Sequence, residues 1–198
     1  MYHETYPLNL CGLHRELPIV PVNDDLAIAS FVMPGDVPLI NACAQALAER
    51  IRSYEIDALA AIEAKGLPLA HQVATSLDMD YYVLIRKGAK IYMQDPLTVE
   101  ESSITTKGTQ LFVLDGRQAA YLKGKRVALV DDVTTTGGSE RAARCLIEKA
   151  GGIIVCEAFV LVEGNWVEER SDLVFLGRLP FFEPTLEGGW KAKEQERR

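Results

Sequence analysis

The most informative stretch of this chain is RVALVDDVTTTGGS, residues 126–139. Residues 127–130 are a short apolar run with β-branched side chains, which is typical of a fully buried parallel strand. Two adjacent carboxylates, Asp131 and Asp132, end the run, and a loop of threonines and glycines follows. Ser139 then opens an amphipathic segment. This order predicts a strand, a polar loop and a helix, and open α/β sheets bind their ligands at such a loop.

The loop carries the residue types that bind a phosphate group. Glycine permits backbone conformations in which successive N–H groups converge on one anion. The hydroxyl groups add donors, and the amino end of the helix adds a partial positive charge. The candidate phosphate-binding residues are Val133, Thr134, Thr135, Thr136, Gly137, Gly138 and Ser139.

The two aspartates suit a different part of the same ligand, because carboxylates repel phosphate. Asp131 and Asp132 can accept hydrogen bonds from neighbouring hydroxyl groups, as on a ribose, and can hold Mg²⁺ through water. A carboxylate pair beside a phosphate cradle therefore predicts a sugar phosphate as the ligand. The alternative is structural: the aspartates end a strand and Ser139 caps a helix.

At residues 127–139 the chain resembles the type I phosphoribosyltransferases, whose phosphoribosyl pyrophosphate (PRPP) motif is an apolar strand, two acids and a Thr/Gly-rich loop. This match is far more specific than a lone glycine pattern. The resemblance implies transfer of the phosphoribosyl group from PRPP to a base, with Mg²⁺ as cofactor. It implies that Asp131 and Asp132 hold the ribose hydroxyls and, indirectly, the metal, and that they are catalytic.

A second phosphate site is predicted at Glu63-Ala64-Lys65-Gly66, which follows the strand candidate at residues 56–62. Lys65 supplies a cation and Gly66 a free backbone N–H; an exposed turn is the alternative. By resemblance this is the pyrophosphate loop, in the form found in adenine and xanthine enzymes. The resemblance also implies a non-proline cis peptide here.

A basic cluster ends the next predicted strand, residues 81–85. Arg86, Lys87 and Lys90 stand out in an acidic protein and suit a pyrophosphate group, with a solvated turn as the alternative. The resemblance places Arg86 and Lys87 close to the pyrophosphate of PRPP, and we include Lys90 in the predicted site.

Residues 100–106 and 110–114 predict a hairpin with Lys107 and Gly108 at its turn. In the family this is a flexible catalytic loop that closes over the site and excludes water. Lys107 is the third predicted catalytic residue, although a surface lysine at a hairpin tip is the alternative. The adenine enzymes carry a Tyr/Glu-containing segment before the glycine, whereas residues 103–107 read SITTK, closer to the xanthine enzymes.

The remaining pattern alternates helices with strands and predicts a single domain, residues 1–198. Its fold class is α/β: a doubly wound, mostly parallel sheet with flanking helices. Asp36 is predicted to cap a helix that runs to residue 52, and residues 153–162 are a long apolar strand. Residues 1–37 read as irregular and residues 190–198 as a solvated tail. By resemblance, residues 1–37 and 164–198 form a small hood that selects the base.

The base is predicted to bind at Glu163 and Trp166, after the strand at residues 153–162. Trp166 can stack on a purine, although core or interface packing is the alternative. Gly164 stands where the xanthine enzymes have a lysine, which argues against xanthine. Adenine is the predicted base; xanthine or hypoxanthine/guanine comes second and orotate third. A PRPP-binding regulatory sensor without turnover stays open.

Composition and charge argue against several classes of protein. The net charge of −7 argues against a nucleic-acid surface, which needs clustered Lys and Arg. No apolar run is long enough to cross a membrane, and the first thirteen residues do not read as a secretory signal. The four scattered cysteines fit neither a disulfide frame nor a zinc site. We therefore expect a cytoplasmic enzyme, and the resemblance implies a homodimer.

Overall fold

A computed structural model describes residues 4–102, 109–164 and 171–193. The helices are α1 (Val37–Ile51), α2 (Gly66–Ser76), α3 (Gly116–Leu122) and α4 (Gly138–Lys149). The strands are β1 (Thr5–Leu10), β2 (Leu13–Asn23), β3 (Leu26–Ala29), β4 (Ala58–Ile62), β5 (Tyr82–Ile85), β6 (Leu97–Ser102), β7 (Thr109–Leu114), β8 (Arg126–Thr134), β9 (Ile153–Glu163), β10 (Leu173–Leu179), β11 (Phe181–Pro184) and β12 (Trp190–Ala192). None of the helices in these ranges is long and apolar enough to cross a membrane.

The central sheet has the strand order β10-β9-β8-β4-β5, and every pair in it is parallel. Alternate residues of β4 and β8 face opposite layers, as the two-residue period of a strand requires. Leu59 and Val130 pack with the buried residues of α1 and α2. Ala60 and Leu129 pack with those of α3 and α4. The predicted doubly wound α/β sheet is therefore confirmed.

Strand β8 runs further than the sequence pattern predicts. Asp131 and Asp132 lie within the strand, because the ladder to β9 continues through Val133 opposite Leu161 and on to Thr134. The prediction that the aspartates end the strand is therefore wrong. The long β9 supplies hydrogen-bond partners beyond the apolar run, and it fixes the backbone of both aspartates in the sheet.

The N-terminal region is strand, so the prediction of an irregular segment at residues 1–37 is wrong for β1, β2 and β3. Cys11 and Gly12, with φ of 50° and 77°, form a two-residue hairpin turn between β1 and β2. Pro7 is tolerated because β1 is an edge strand, where a missing N–H removes no ladder bond. The buried Leu8 and Leu10 alternate with exposed residues, which is the strand signal that the prolines obscured.

Both ends of the chain build the second sheet, in the order β1-β2-β3-β11-β12, which confirms the predicted hood, although β10, within residues 164–198, belongs to the central sheet. The prediction of a solvated tail is wrong for β12, which pairs with β11. The Trp190 N–H also donates a hydrogen bond to the Glu4 carboxylate over 2.9 Å. Residues 194–198 of the predicted tail lie outside the described ranges.

The predicted hairpin is confirmed as the antiparallel pair β6 and β7, with Ser102 opposite Thr109. Its predicted turn, Lys107 and Gly108, lies outside the described residues. The short helix α3 has no counterpart in the sequence prediction. Asp115 caps it by accepting a hydrogen bond from the Arg117 N–H over 3.0 Å.

Asp36 joins the hood to the central layer. As predicted, it caps α1, accepting the Leu39 N–H over 3.2 Å. It also receives two hydrogen bonds from Arg15 of β2, at 2.6 and 2.9 Å. The hydrogen bonds from Arg15 are the main reason why the pKa of Asp36 lies below its ordinary value.

We predict that Asp36→Ala lowers the free energy of unfolding by about 1–2 kcal/mol, the usual cost of losing a helix cap. Asp36→Asn keeps a capping oxygen and loses only the charge, so its loss should be smaller. Because the folded pKa of Asp36 is depressed, its ion pair stabilises the fold above the ordinary aspartate pKa, near 4, and the effect disappears as pH falls through the folded pKa. Denaturant unfolding of wild type and Asp36→Asn at pH 7 and at pH 3 measures the difference in their free energies of unfolding. An equal difference between wild type and Asp36→Asn at both pH values contradicts the assignment.

Candidate active site

Parallel pairing brings the carboxyl ends of β4, β5, β8 and β9 to one edge of the sheet. A cleft of about 220 Å³ lies there. Asp131 and the whole predicted phosphate loop, residues 133–139, line it. Other lining residues come from the neighbouring strands and the hairpin: Lys87, Glu101, Gln110, Phe112 and Phe159. The cleft therefore has an acidic group, a glycine-rich loop and a cation in its wall.

The phosphate loop turns directly into α4. Gly137 is the residue before the helix and has a φ of 70°, a conformation that favours glycine. The cap is therefore Gly137, and the structural alternative in which Ser139 caps the helix is wrong. Two threonine hydroxyls of the loop donate to buried acids: Thr134 to Glu140 over 3.1 Å and Thr135 to Glu163 over 2.9 Å. These bonds fix the loop to α4 and β9.

The two aspartates have different surroundings. Asp131 is half-buried and faces the cleft, while Asp132 is only 3% exposed. Asp132 forms an ion pair with Lys65, whose Nζ lies 2.9 Å from Oδ2. Burial, with the neighbouring charge of Asp132, holds the pKa of Asp131 well above its ordinary value. Positive charge or hydroxyl donors brought to this pair relieve that electrostatic cost.

The predicted pyrophosphate loop contacts the aspartate pair directly. The Glu63–Ala64 peptide is cis, as the resemblance implies. Lys65 reaches Asp132, and Gly66 lies against Asp131 so closely that a Cβ atom on residue 66 would be 2.4 Å from Oδ1. The two loops that the sequence singled out are therefore neighbours, and a side chain on residue 66 would force Asp131 to move.

Glu63 organises the basic cluster. One of its carboxylate oxygens receives a hydrogen bond from Arg86 over 2.8 Å, and the other accepts the Lys87 backbone N–H over 2.7 Å. Lys87 lines the cleft, and Arg86 is held beside the pyrophosphate loop. Lys90 is exposed, lies outside the cleft lining, and directs its backbone N–H to Met93 Sδ.

Glu163 ends β9 and is 5% exposed. Burial raises its pKa, and the hydrogen bond from Thr135 and the charge of Lys65 act in the opposite direction. The next residue, Gly164, has a φ of 80°, and a Cβ there would lie 2.3 Å from the Phe181 ring. Strand β11 of the hood therefore packs directly on the end of β9. The predicted site residues Lys107 and Trp166 lie outside the described residues.

Sequence reasoning missed several residues at the site. Phe112 and Phe159 look like ordinary core residues of apolar strands, and nothing local marks them as cleft-lining. Glu101 and Arg141 carry charges that look like solvated surface groups, yet they form an ion pair of 2.6 Å beside the phosphate loop. The described residues contain no cluster of three or more His, Cys, Asp or Glu suited to a metal ion.

Comparisons with known proteins agree with this geometry. Residues 37–175 match the family model described as the phosphoribosyl transferase domain. An adenine phosphoribosyltransferase of Thermobifida fusca is 38% identical over 128 residues, 65% of this chain and 69% of that protein. One of Caenorhabditis elegans is 36% identical over 137 residues, 68% of this chain and 70% of that protein.

The fold also matches a crystal structure of adenine phosphoribosyltransferase from Thermoanaerobacter pseudethanolicus. The TM-score is 0.69 at 24% identity, and the match covers 82% of this chain and 95% of that chain. This likeness concerns the fold. Together with the family match, it confirms the resemblance that residues 127–139 carry.

We predict that Gly66→Ala destabilises the protein by about 1–3 kcal/mol, because the added methyl group forces Asp131 or the loop to move. The matched control is Gly138→Ala in the phosphate loop, where the nearest atom to the new Cβ is 3.6 Å away. That variant should keep or slightly raise the stability. Denaturant unfolding of both variants measures the difference. Wild-type stability in Gly66→Ala contradicts the close approach.

Proposed function

This chain belongs to the phosphoribosyl transferase domain family and is a pentosyltransferase, and we propose that it transfers the phosphoribosyl group of PRPP to adenine. In this reaction, N9 of adenine bonds to C1′ of the ribose while the bond from C1′ to the pyrophosphate oxygen breaks. N9 loses its proton, and the products are AMP and pyrophosphate. The observation that carries the proposal is the direct contact of the Lys65–Gly66 loop with the Asp131–Asp132 pair at the mouth of a phosphate loop.

The ribose 5-phosphate part of PRPP fits the wall formed by β8 and α4. Asp131 and Asp132 accept hydrogen bonds from the ribose hydroxyls. The backbone N–H groups and hydroxyls of residues 133–139 bind the 5′-phosphate at the amino end of α4. A ribose hydroxyl on Asp131 stabilises its ionised form, which the fold alone holds at a raised pKa.

The pyrophosphate is the leaving group, and its negative charge grows as the bond to C1′ breaks. Lys65 and Lys87 act on the acid pair and Glu63 holds Arg86 beside the pyrophosphate loop, and these three cations are proposed to stabilise that charge. Lys90 and Lys107 are included among the cations that we propose to act on the pyrophosphate. Glu63 contributes by holding Arg86 and the Lys87 backbone in place.

Mg²⁺ is the proposed cofactor. The donor set fits it, because Mg²⁺ in such sites is bound by one or two carboxylates together with substrate phosphates rather than by a protein cage. Asp131 and Asp132 would hold it indirectly, through water or through PRPP. When bound, the ion supplies positive charge that offsets the charge of the leaving pyrophosphate.

The base is proposed to lie between the end of β9 and the hood, and Glu163 and Trp166 are the proposed base-binding residues. Adenine is favoured by the names of the curated relatives. Position 164 also argues against xanthine. Its positive φ and its contact with Phe181 leave no room for the lysine that the xanthine enzymes carry there.

A cytoplasmic homodimer is part of the proposal, and light scattering on the purified protein measures the oligomeric state.

The decisive experiment follows pyrophosphate release from PRPP and Mg²⁺ with adenine, xanthine, hypoxanthine, guanine or orotate. We expect release with adenine. The double variant Asp131→Asn, Asp132→Asn should lose activity by roughly 100-fold or more, because it removes the charges that meet the ribose and the metal. Asp57→Asn is the matched control. Asp57 accepts the Arg126 N–H over 2.8 Å at the opposite end of β8, so this variant should keep full activity.

The other outcomes separate the alternatives. Release with xanthine, hypoxanthine or guanine instead of adenine overturns the base assignment and keeps the enzyme class. Measurable PRPP binding without release with any base overturns the proposed activity and favours a regulatory sensor. Residues 103–107 lack the glutamate that the adenine enzymes carry before the glycine. PRPP binding without pyrophosphate release is therefore an outcome to test directly.

A further inference from the structure

Arg141, in the first turn of α4, contacts two other parts of the site. Its Nη1 donates to the Thr136 carbonyl oxygen of the phosphate loop over 2.8 Å. Its Nε and Nη2 both donate to Glu101 Oε1, over 3.1 and 2.6 Å. One guanidinium group therefore joins the phosphate loop to strand β6 of the hairpin.

The bond to Thr136 controls the direction of a phosphate-binding N–H group. In a trans peptide, the carbonyl of one residue and the N–H of the next point to opposite sides. Arg141 holds the Thr136 carbonyl, so the Gly137 N–H is directed away from the guanidinium. Thr136 and Gly137 line the cleft, whereas Arg141 does not. Glycine offers little resistance to rotation of this peptide, so an external anchor is needed to keep one orientation.

The bond to Glu101 fixes Arg141 in turn. Glu101 is part of the cleft lining, and its side chain is 22% exposed. Its Oε1 would lie 3.7 Å from a Cβ on Gly138, so a negative charge stands beside the loop that binds the phosphate. A carboxylate in this place opposes anion binding by simple Coulomb repulsion. Any benefit of Glu101 for ligand binding must therefore come from the hydrogen bonds by which it holds Arg141.

We propose that Arg141 and Glu101 are positioning residues for the 5′-phosphate: Glu101 anchors Arg141, and Arg141 orients the Thr136–Gly137 peptide toward the ligand. This inference rests on the proposed function and deepens it. The Arg141 side chain is 57% exposed and that of Glu101 is 22% exposed, and ion pairs that reach solvent in this way add little to global stability. Its effect is therefore expected in ligand affinity and not in the melting temperature.

The test is the dissociation constant of ribose 5-phosphate for the full-length protein, measured by calorimetry. This ligand carries the 5′-phosphate and needs no turnover. Arg141→Met should weaken binding ~10-fold, as expected when an anchor made of charge-assisted hydrogen bonds is lost. Glu101→Met should weaken it in the same direction. In turnover with PRPP, both variants should raise the KM for PRPP more than they lower kcat.

Glu101→Met discriminates between positioning and electrostatics, because the two predict opposite signs. Removing a negative charge near the phosphate tightens binding if only Coulomb forces act, and that result overturns the proposal.

Lys149→Met is the matched control. Lys149 makes another contact between α4 and β6, from Nζ to the Thr98 carbonyl oxygen over 3.3 Å, near the opposite end of α4. Its loss should leave ribose 5-phosphate affinity unchanged. If wild type fails to bind ribose 5-phosphate, this inference fails, whereas the proposed function is decided separately by pyrophosphate release from PRPP. If wild type binds and Arg141→Met binds equally well, only the positioning role fails.

Discussion

The site depends on the parallel pairing of β8 with β4 on one side and β9 on the other. Parallel strands end at the same edge, so three loops that are far apart in the chain must meet there. The register sets Ala61 opposite Val130 and Asp131 opposite Phe159, which brings the Lys65–Gly66 loop against the aspartates. A slip of one residue would turn Asp131 toward the opposite face of the sheet, away from the cleft.

Acidic side chains hold this edge together. Glu63 fixes Arg86 and the Lys87 backbone, Asp132 holds Lys65, and Glu163 accepts the Thr135 hydroxyl. Each carboxylate is paired with a cation or a donor, as buried charge requires. The site proposed for PRPP, which is a highly anionic ligand, therefore contains several carboxylates. They position the groups proposed to meet the ligand, and burial together with the charge of Asp132 raises the pKa of Asp131.

Among the described residues, Phe181 and Arg15 make contacts that join the hood to the central layers. The Phe181 ring packs on the backbone of Gly164, at the end of the strand that carries Glu163. On the far side, Arg15 of β2 binds the capping carboxylate of Asp36 at the start of α1. Both contacts join residues from the termini to the central layers. The contact of Phe181 with Gly164 places the hood, which both ends of the chain build, beside the proposed base site.

The sequence of residues 37–162 was sufficient to predict the PRPP motif, the parallel sheet and most helices, because apolar periodicity and glycine requirements are local properties. The candidate residues Lys65, Asp131 and Asp132 followed from the same local chemistry. The strands of residues 5–29 were obscured by prolines: Pro7 is acceptable because β1 is an edge strand, and Pro21 adjoins the register shift in the pairing of β2 with β3. The contacts Lys65–Asp132, Glu63–Arg86 and Glu101–Arg141 were invisible, since each joins residues 23 to 67 positions apart. Such pairs are set by strand order and register, which depend on how the whole chain packs its core.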